Sequence, residues 1–237
     1  MTILKLYGTP HGASPLRIAT VLHELHIPFE FIEVDLKAGE QHTPAFLARQ
    51  PFGQVPFIDD GGFILYESRA ICRYLAAKHP ASGLIPREPT ANALFEQAAS
   101  VEVANFDPSA SGLVLQTVVK PAFYGTQPDP AAVQAHLAVL EKKLEGYEAI
   151  LGTQRYLAGD TLTLADLFHL PCARLLAVGG IDIMMQKPNV ARWYNELIAR
   201  PSSVAYEGGV KTTTTSNITK DKGHVRPPPA NQVIRWL

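Results

Sequence analysis

The position of the strand-like segments is the feature that most constrains the fold, because they occur only in the first eighty of the 237 residues. In that stretch, short apolar runs alternate with helical patterns in the order β-α-β-α-β-β-α. A crossover unit followed by a hairpin, with its turn at Asp59-Asp60-Gly61-Gly62, predicts a small mixed sheet covered by helices. The later segments have helical periodicity throughout: 91–119, 130–151, 164–178 and 190–200.

The domain organisation follows from this change of pattern. We predict an α/β domain over residues 1–80, a linker, and an all-helical domain over 90–206. Residues 207–237 differ in kind, since they contain threonine and proline tracts without a helical period. They are predicted to form a C-terminal tail, which is either loose or laid back across the body, because its last residues are apolar.

Composition and charge exclude several classes of function. Lys and Arg number 21 against 22 Asp and Glu, and a net charge of −1 provides no broad attraction to nucleic acid or an anionic membrane. The chain has no secretory leader and no apolar run long enough to span a bilayer, so we expect a soluble, cytoplasmic protein. Two cysteines, Cys72 and Cys172, cannot make a disulfide framework or a cysteine-rich metal site, and we expect no metal. Both lie in apolar helical patterns, which predicts buried, unreactive thiols.

Two short motifs indicate where a ligand binds. Glu67-Ser68 lies at a strand-to-helix junction, where free backbone N–H groups attract a carboxylate and Glu67 can face an ammonium group. An α-amino acid head group carries both charges, but a capping serine beside a solvated glutamate gives the same pattern. Gln54-Val55-Pro56 precedes a strand, and a cis Val55–Pro56 bond there exposes the Val55 backbone to a peptide ligand; a trans proline ending a loop is the alternative.

Four spaced motifs together resemble the glutathione S-transferase family, and within it the phi class with its fungal members. The resemblance covers residues 3–205 and implies a thioredoxin-like α/β N-terminal domain followed by an all-α domain, usually paired as a homodimer. In the last motif, Thr163 and Asp166 also have the spacing of a helix capping box. The motifs are, in chain order, 34–42 (VDLKAGEQH), 51–56 (PFGQVP), 66–75 (YESRAICRYL) and 158–166 (AGDTLTLAD).

The resemblance also implies which residues hold glutathione and which join the subunits. Phe52 resembles an aromatic side chain that related enzymes insert into the partner subunit; packing within its own loop is the alternative. The implied glutathione contacts are Gln41 and His42 at the glycine end, the Val55 backbone at the cysteinyl moiety, and Gln54, Glu67 and Ser68 at the γ-glutamyl end.

The first loop departs from the family pattern at the catalytic position. Phi-class enzymes carry a thiolate-stabilising serine five positions before the arginine that matches Arg17, and Gly12 stands there in this chain. Ser14 is the candidate hydroxyl donor, although Ser14-Pro15 also has the pattern of an N-cap followed by the first helical residue. His11 is the second catalytic candidate, since it can donate or accept a proton near the sulfur; lining the pocket is its alternative role.

The predicted function is a glutathione transferase that presents the glutathione thiolate to a small hydrophobic electrophile. The second substrate is expected on a helix face that carries Leu113, Gln116, Val119 and Phe123, although that face has the pattern of ordinary core as well. Two alternatives remain open. A glutathione-dependent cis/trans isomerase would use glutathione without consuming it, and a non-catalytic carrier would bind ligands without turnover.

Overall fold

The computed structural model describes residues 3–205 and 208–213, and these form two compact units. The first contains residues 3–82 together with the described residues from 200 onwards, and the second contains residues 83–199. The boundary therefore differs from the predicted one, since the short helix after residue 200 belongs to the first unit. The predicted C-terminal tail covers residues 207–237, and the structure describes residues 208–213 of it. The rest of the tail lies outside the described residues.

The order of strands and helices matches the sequence prediction closely. Short 3-10 turns occupy Glu40–His42, Pro80–Ser82 and Ile183–Met185. The strands are β1 Leu4–Gly8, β2 Phe29–Glu33, β3 Phe57–Asp60 and β4 Phe63–Tyr66. The helices are α1 Ala13–Glu24, α2 Pro44–Leu47, α3 Ser68–Lys78, α4 Pro89–Val101, α5 Asp107–Val114, α6 Pro130–Leu151, α7 Leu164–Val178, α8 Pro188–Ile198 and α9 Pro201–Val204, with π-helical stretches at Glu102–Phe106 and Leu115–Tyr124.

The sheet of the first unit has the strand order β2-β1-β3-β4. β1 and β2 are parallel, as the crossover through α1 requires, and the β3–β4 hairpin is antiparallel, as its Asp-Gly-Gly turn predicts. On one side α1 packs against α3. On the other, Val34, Phe46 of α2 and Phe57 form a separate apolar cluster, in which the ring of Tyr7 stacks on Phe57 at 4.3 Å. The sheet is thus buried on both faces.

Residues 208–213, which we call the C-terminal strap, pack against the first unit. The Val210 amide donates to the carbonyl of Pro10 at 2.9 Å, and the Val210 side chain is buried. Thr213 forms an antiparallel bridge with Phe29, since its amide donates to the Phe29 carbonyl at 2.8 Å and its hydroxyl accepts from the Phe29 amide at 3.2 Å. The Thr212 hydroxyl accepts from the Phe31 amide at 2.9 Å. The strap therefore joins the first loop to strand β2.

A partly buried ion pair attaches α9 to the end of α1. The Glu24 carboxylate accepts from Nε of Arg200 at 3.1 Å, from a second Arg200 nitrogen, and from the Ser202 hydroxyl at 2.6 Å. Burial raises the pKa of Glu24, but the hydrogen bonds from Arg200 and Ser202 and the charges of Arg200 and His26 outweigh it and hold the pKa below its ordinary value. The charged form is therefore the one that stabilises the fold.

We expect Glu24→Gln to lower the free energy of unfolding by about 1–3 kcal/mol at pH 7, because the amide loses the charge-assisted bonds. A carboxylate with a lowered folded-state pKa stabilises above its unfolded pKa and loses that contribution as the pH falls through the folded value. The difference between variant and wild type should therefore shrink on acidification, as followed by urea unfolding at several pH values. Glu30→Gln, which removes an exposed pair with Lys5, is the matched control and should have little effect. Equal stability of Glu24→Gln and wild type at pH 7 would refute the expectation.

The second unit contains a run of helix from residue 89 to residue 124 that includes two π-helical stretches. Phe106-Asp107-Pro108 lies within this run, and a π-helical stretch ends at Phe106, directly before Asp107 and Pro108. The wider turn accommodates the proline without ending the helix, as π-bulges commonly do.

The core of the second unit is centred on a buried carboxylate. Asp166 Oδ2 accepts from the Thr163 amide at 3.0 Å, which confirms the predicted capping box at the start of α7. Its Oδ1 atom accepts from the Leu157 amide at 2.9 Å and from the Trp193 indole at 3.0 Å. One side chain thus fixes the loop before α7, the helix start and α8.

Candidate functional site

Three loops meet at one end of the sheet of the first unit. β1 and β4 run in the same direction, so the loop after Gly8 and the start of α3 lie at the same end of the sheet. β3 runs in the opposite direction, so it begins at this end, and the segment that leads into it lies there as well. A Cβ on Gly8 would lie 2.8 Å from Cγ of Pro15 and 3.6 Å from Cβ of Pro56, which shows how closely these loops approach. Both α1 and α3 begin at this end, and their free N–H groups favour an anionic ligand.

The start of α3 has an unusual backbone. Glu67 is the N-cap and has a positive φ of 69°, which non-glycine residues seldom adopt, and Ser68 is the first helical residue rather than the cap. Strained residues of this kind cluster at ligand sites. The Glu67 side chain is exposed and makes no capping bond, so it is free to face a ligand ammonium group.

Ser68 is held in place by a buried arginine. Nη1 of Arg17, in α1, donates to the Ser68 hydroxyl at 2.8 Å, and both side chains are buried. Because the oxygen accepts from a guanidinium, the hydroxyl proton is left to donate outward, and the adjacent positive charge strengthens that bond to a carboxylate. The pair therefore places a fixed hydroxyl donor, of a kind that suits an anionic ligand, at the junction of α1 and α3.

The segment before β3 has the backbone that the sequence predicts. The Val55–Pro56 bond is cis. Within the described residues, no backbone hydrogen bond uses the amide or carbonyl of Val55, so both are available to a peptide ligand. The loop is held from beneath by Gln50, a buried side chain whose Oε1 accepts from the amides of Phe52 and Gln54. The Gln54 side chain itself is exposed.

Gln41 and His42 are brought next to the same loop. Gly53 has a positive φ of 62°, and a Cβ there would lie 2.9 Å from Nδ1 of His42, so the imidazole packs directly on this glycine. Across the part of the chain that the structure describes, the buried Oε1 of Gln41 has no hydrogen-bond partner. An orphaned buried acceptor is costly unless a ligand or water satisfies it, which is consistent with a ligand contact at this position.

The first loop corrects one local expectation. Helix α1 begins at Ala13 with Gly12 as its N-cap, and no side chain caps it, so Ser14-Pro15 is not the pair of N-cap and first helical residue. The Leu16 amide donates to the Gly12 carbonyl, which closes the first turn and places Ser14 inside it. The amides of Ala13 and Ser14 therefore remain outside the intrahelical pattern. The catalytic role of Ser14 remains a prediction.

His11 lies where the C-terminal strap touches the first loop. A Cβ on Gly209 would lie 2.9 Å from Cε1 of His11, so a glycine with positive φ is needed for this close packing. Burial lowers the pKa of His11 below its ordinary value, and Lys211 lowers it further, although Glu33 opposes them. The imidazole is therefore neutral at pH 7, able to donate or accept one hydrogen bond, and its catalytic role also remains a prediction.

The residues predicted to bind the second substrate have unlike environments. Leu113 is fully buried, and Gln116 Oε1 accepts from Nζ of Lys120 at 2.8 Å and from the Asp129 amide at 3.0 Å. Gln116 is thus engaged in holding its own unit together. Two more exposed positions follow on the same helix: Val119, which is half-buried, and Phe123, which is 45% exposed. The substrate role of these four residues stays a prediction.

Both cysteines are buried, as expected. Cys72 is fully buried in α3, and burial raises the pKa of its thiol to about 12, against the lowering effect of nearby arginines. Cys172 is buried in α7. Among residues 3–205 and 208–213, no cluster of His, Cys, Asp or Glu could hold a metal ion, and no helix is long and apolar enough to cross a membrane.

Sequence reasoning missed two groups that organise the site. In the sequence analysis Arg17 only locates the catalytic position five residues before it. A charged side chain between Leu16 and Ile18 of an apolar helix nevertheless indicates that a buried polar partner is present. Gln50 gave no signal, since a glutamine before Pro51 is typical of any loop.

The fold and the site together define a class of protein in which a thioredoxin-like domain is followed by an all-helical unit. The cis-proline loop and the two helix N-termini of the first domain suit a peptide ligand with free carboxylates. Family models agree with this description. Residues 3–77 match the N-terminal domain of glutathione S-transferases, and residues 106–201 match the C-terminal domain. The chain belongs to the glutathione S-transferase family and is of the phi-like type.

Individual relatives cover most of the chain. Glutathione S-transferase 3 of Zea mays is 43% identical over 206 residues, which span 85% of this chain and 92% of the relative. Glutathione transferase F7 of Populus trichocarpa has a solved structure with a TM-score of 0.82 at 37% identity, covering 86% of this chain and 97% of that one. Glutathione S-transferase I of maize, solved in complex with an atrazine glutathione conjugate, has a TM-score of 0.79 at 34% identity, with coverage of 86% and 96%.

Proposed function

We propose that the protein binds glutathione along the cis-proline loop and presents its thiolate to a small hydrophobic electrophile. The observation that carries this proposal is the buried Arg17–Ser68 bond at the start of α3, because it fixes a charge-assisted donor for the γ-glutamyl carboxylate. Glu67 faces the ammonium group of the same head group. The Val55 backbone pairs with the cysteinyl moiety, as in strand addition.

In this orientation the glycine end of glutathione reaches Gln41 and His42. The packing of His42 on Gly53 and the unsatisfied Oε1 of Gln41 support this placement. A thiol held over the start of α1 is converted to a thiolate because the free N–H groups there favour the anion. The thiol proton is released to water, and the thiolate forms a C–S bond to an electrophilic carbon of the second substrate. In a substitution the leaving group departs with the electron pair of the bond that breaks, and in an addition the neighbouring carbon takes a proton from water.

A homodimer is part of the proposal. Phe52 is 66% exposed and meets Tyr66 only edge to face at 6.0 Å, so it is available to enter a partner subunit. A cytoplasmic location, expected from the sequence, likewise stays a prediction.

The function is tested by following glutathione and product together with two electrophiles, chlorodinitrobenzene and dimethyl maleate. We expect the first to yield a thioether with loss of one glutathione and release of chloride, and the second to yield a glutathione adduct. Conversion of dimethyl maleate to dimethyl fumarate without loss of glutathione would instead identify an isomerase. Binding of glutathione without turnover of either compound would identify a carrier and contradict the transferase proposal.

A further inference from the structure

A threonine hydroxyl occupies the space beside Gly12, where the family resemblance places the catalytic serine. A Cβ built on Gly12 would lie 2.7 Å from Oγ1 of Thr9 and 3.1 Å from Cδ of Pro15. Atoms that are not bonded do not approach a Cβ so closely, so a serine at position 12 and the present position of the Thr9 hydroxyl exclude each other. Gly12 and Thr9 are therefore complementary: the absence of a side chain at one position makes room for the hydroxyl of the other.

The position of Thr9 in the chain suits this role. It directly follows β1 and precedes the N-cap of α1 by three residues, so its side chain lies at the helix start over which the proposed function places the sulfur. Its neighbour Pro10 is held by the amide of Val210 at 2.9 Å, which restricts the loop. Thr9 is half-buried, so the residue is packed in the loop and still partly accessible. A β-branched side chain also has few χ1 rotamers, which favours a fixed donor.

We propose that Thr9 is a catalytic residue, whose hydroxyl donates the hydrogen bond to the glutathione thiolate that a serine at position 12 would otherwise donate. The inference rests on the proposed function, since it needs glutathione at this site. The hydroxyl keeps its proton and stabilises the anion, while the thiol proton passes to water. The two amides at the start of α1 add to the same stabilisation, so the hydroxyl supplies part of it and not the whole.

The test is a pH titration of the thiolate absorbance of bound glutathione in wild type and three variants. Thr9→Val replaces the hydroxyl by a methyl of similar volume and should raise the thiol pKa by about 1–2 units, as expected for loss of one hydrogen bond to a charged group. Thr9→Ser should keep the wild-type pKa. The double variant Thr9→Ala/Gly12→Ser moves the hydroxyl to position 12 and should return the pKa toward the wild-type value. Thr153→Val, at an exposed hydroxyl that donates to the Ile150 carbonyl, is the matched control.

Binding of S-methylglutathione, which has no ionisable thiol, separates a catalytic from a structural effect. We expect its affinity to be equal in wild type and Thr9→Val. An unchanged thiol pKa in Thr9→Val would overturn the proposal. If the thiol pKa were raised in Ser14→Ala but unchanged in Thr9→Val, Ser14 would be the hydroxyl donor instead. Wild-type protein that binds glutathione without lowering its thiol pKa, or does not bind it, would overturn the proposed function as well, and that failure is visible before any variant is made.

Discussion

Glutathione is expected to bind about 5- to 150-fold more weakly when Ser68 is replaced by alanine, which corresponds to about 1–3 kcal/mol. The variant loses the donor to the γ-glutamyl carboxylate, and it also leaves the buried Nη1 of Arg17 without the acceptor that it has at 2.8 Å. The second effect distinguishes Ser68 from a serine that merely caps a helix. Isothermal titration calorimetry with glutathione measures the loss directly.

Two controls keep the Ser68 result interpretable. Ser100→Ala removes a helical serine hydroxyl that donates to the Glu96 carbonyl in the second unit, and its glutathione affinity should equal that of the wild type. Thermal unfolding of Ser68→Ala shows whether the fold survives. A folded Ser68→Ala variant with wild-type affinity would remove the γ-glutamyl contact from the proposed site.

Asp166→Ala is expected to cause the largest loss of stability, roughly 3–5 kcal/mol, because removal of a buried acceptor leaves several donors unsatisfied. Those donors are the amides of Leu157 and Thr163, the Thr163 hydroxyl and the Trp193 indole. The loss is a large fraction of the stability of an ordinary domain. It should appear as a lower midpoint in urea unfolding, with a reduced fluorescence change of Trp193 if that ring loses its fixed position.

The matched control for Asp166 lies in the same loop. Asp160 is exposed, and its carboxylate accepts from the Arg155 amide at 3.2 Å, so Asp160→Ala should cost less than about 1 kcal/mol. Similar losses for the two variants would show that the loop as a whole, and not the buried carboxylate, determines the effect.

The sequence predicted the local structure well where one residue pattern sufficed. The Asp-Gly-Gly turn and the capping box at Asp166 are each determined within a few residues, and both are present. The cis bond at Pro56 is one of the two alternatives that the sequence pattern allowed. The start of α1 was mispredicted because proline preference favours Pro15 as the first helical residue, whereas the bond from the Leu16 amide to Gly12 begins the helix earlier.

The parts that could not be predicted depend on contacts between distant segments. The burial of Arg17 requires its bond to Ser68, 51 residues later, and the position of α9 requires the Arg200–Glu24 pair across 176 residues. Hydrophobic periodicity reports which face of a helix is apolar but not which polar partner arrives from elsewhere. The Thr9 hydroxyl was overlooked for the same reason, since only the folded loop places it beside Gly12.

The pairing of Thr213 with Phe29 also protects the molecule against self-association. β2 is one of the two outer strands of the sheet. An outer strand with free amides and carbonyls and with aromatic side chains is a template on which another chain can add a strand and begin to aggregate. The hydroxyls of Thr213 and Thr212 accept from the amides of Phe29 and Phe31, and the Thr213 amide donates to the Phe29 carbonyl. These backbone groups of β2 are therefore already paired within the chain. Proteolytic trimming that removed Thr212 and Thr213 would therefore expose the amides of Phe29 and Phe31 at the edge of the sheet, where a strand of another chain could pair with them.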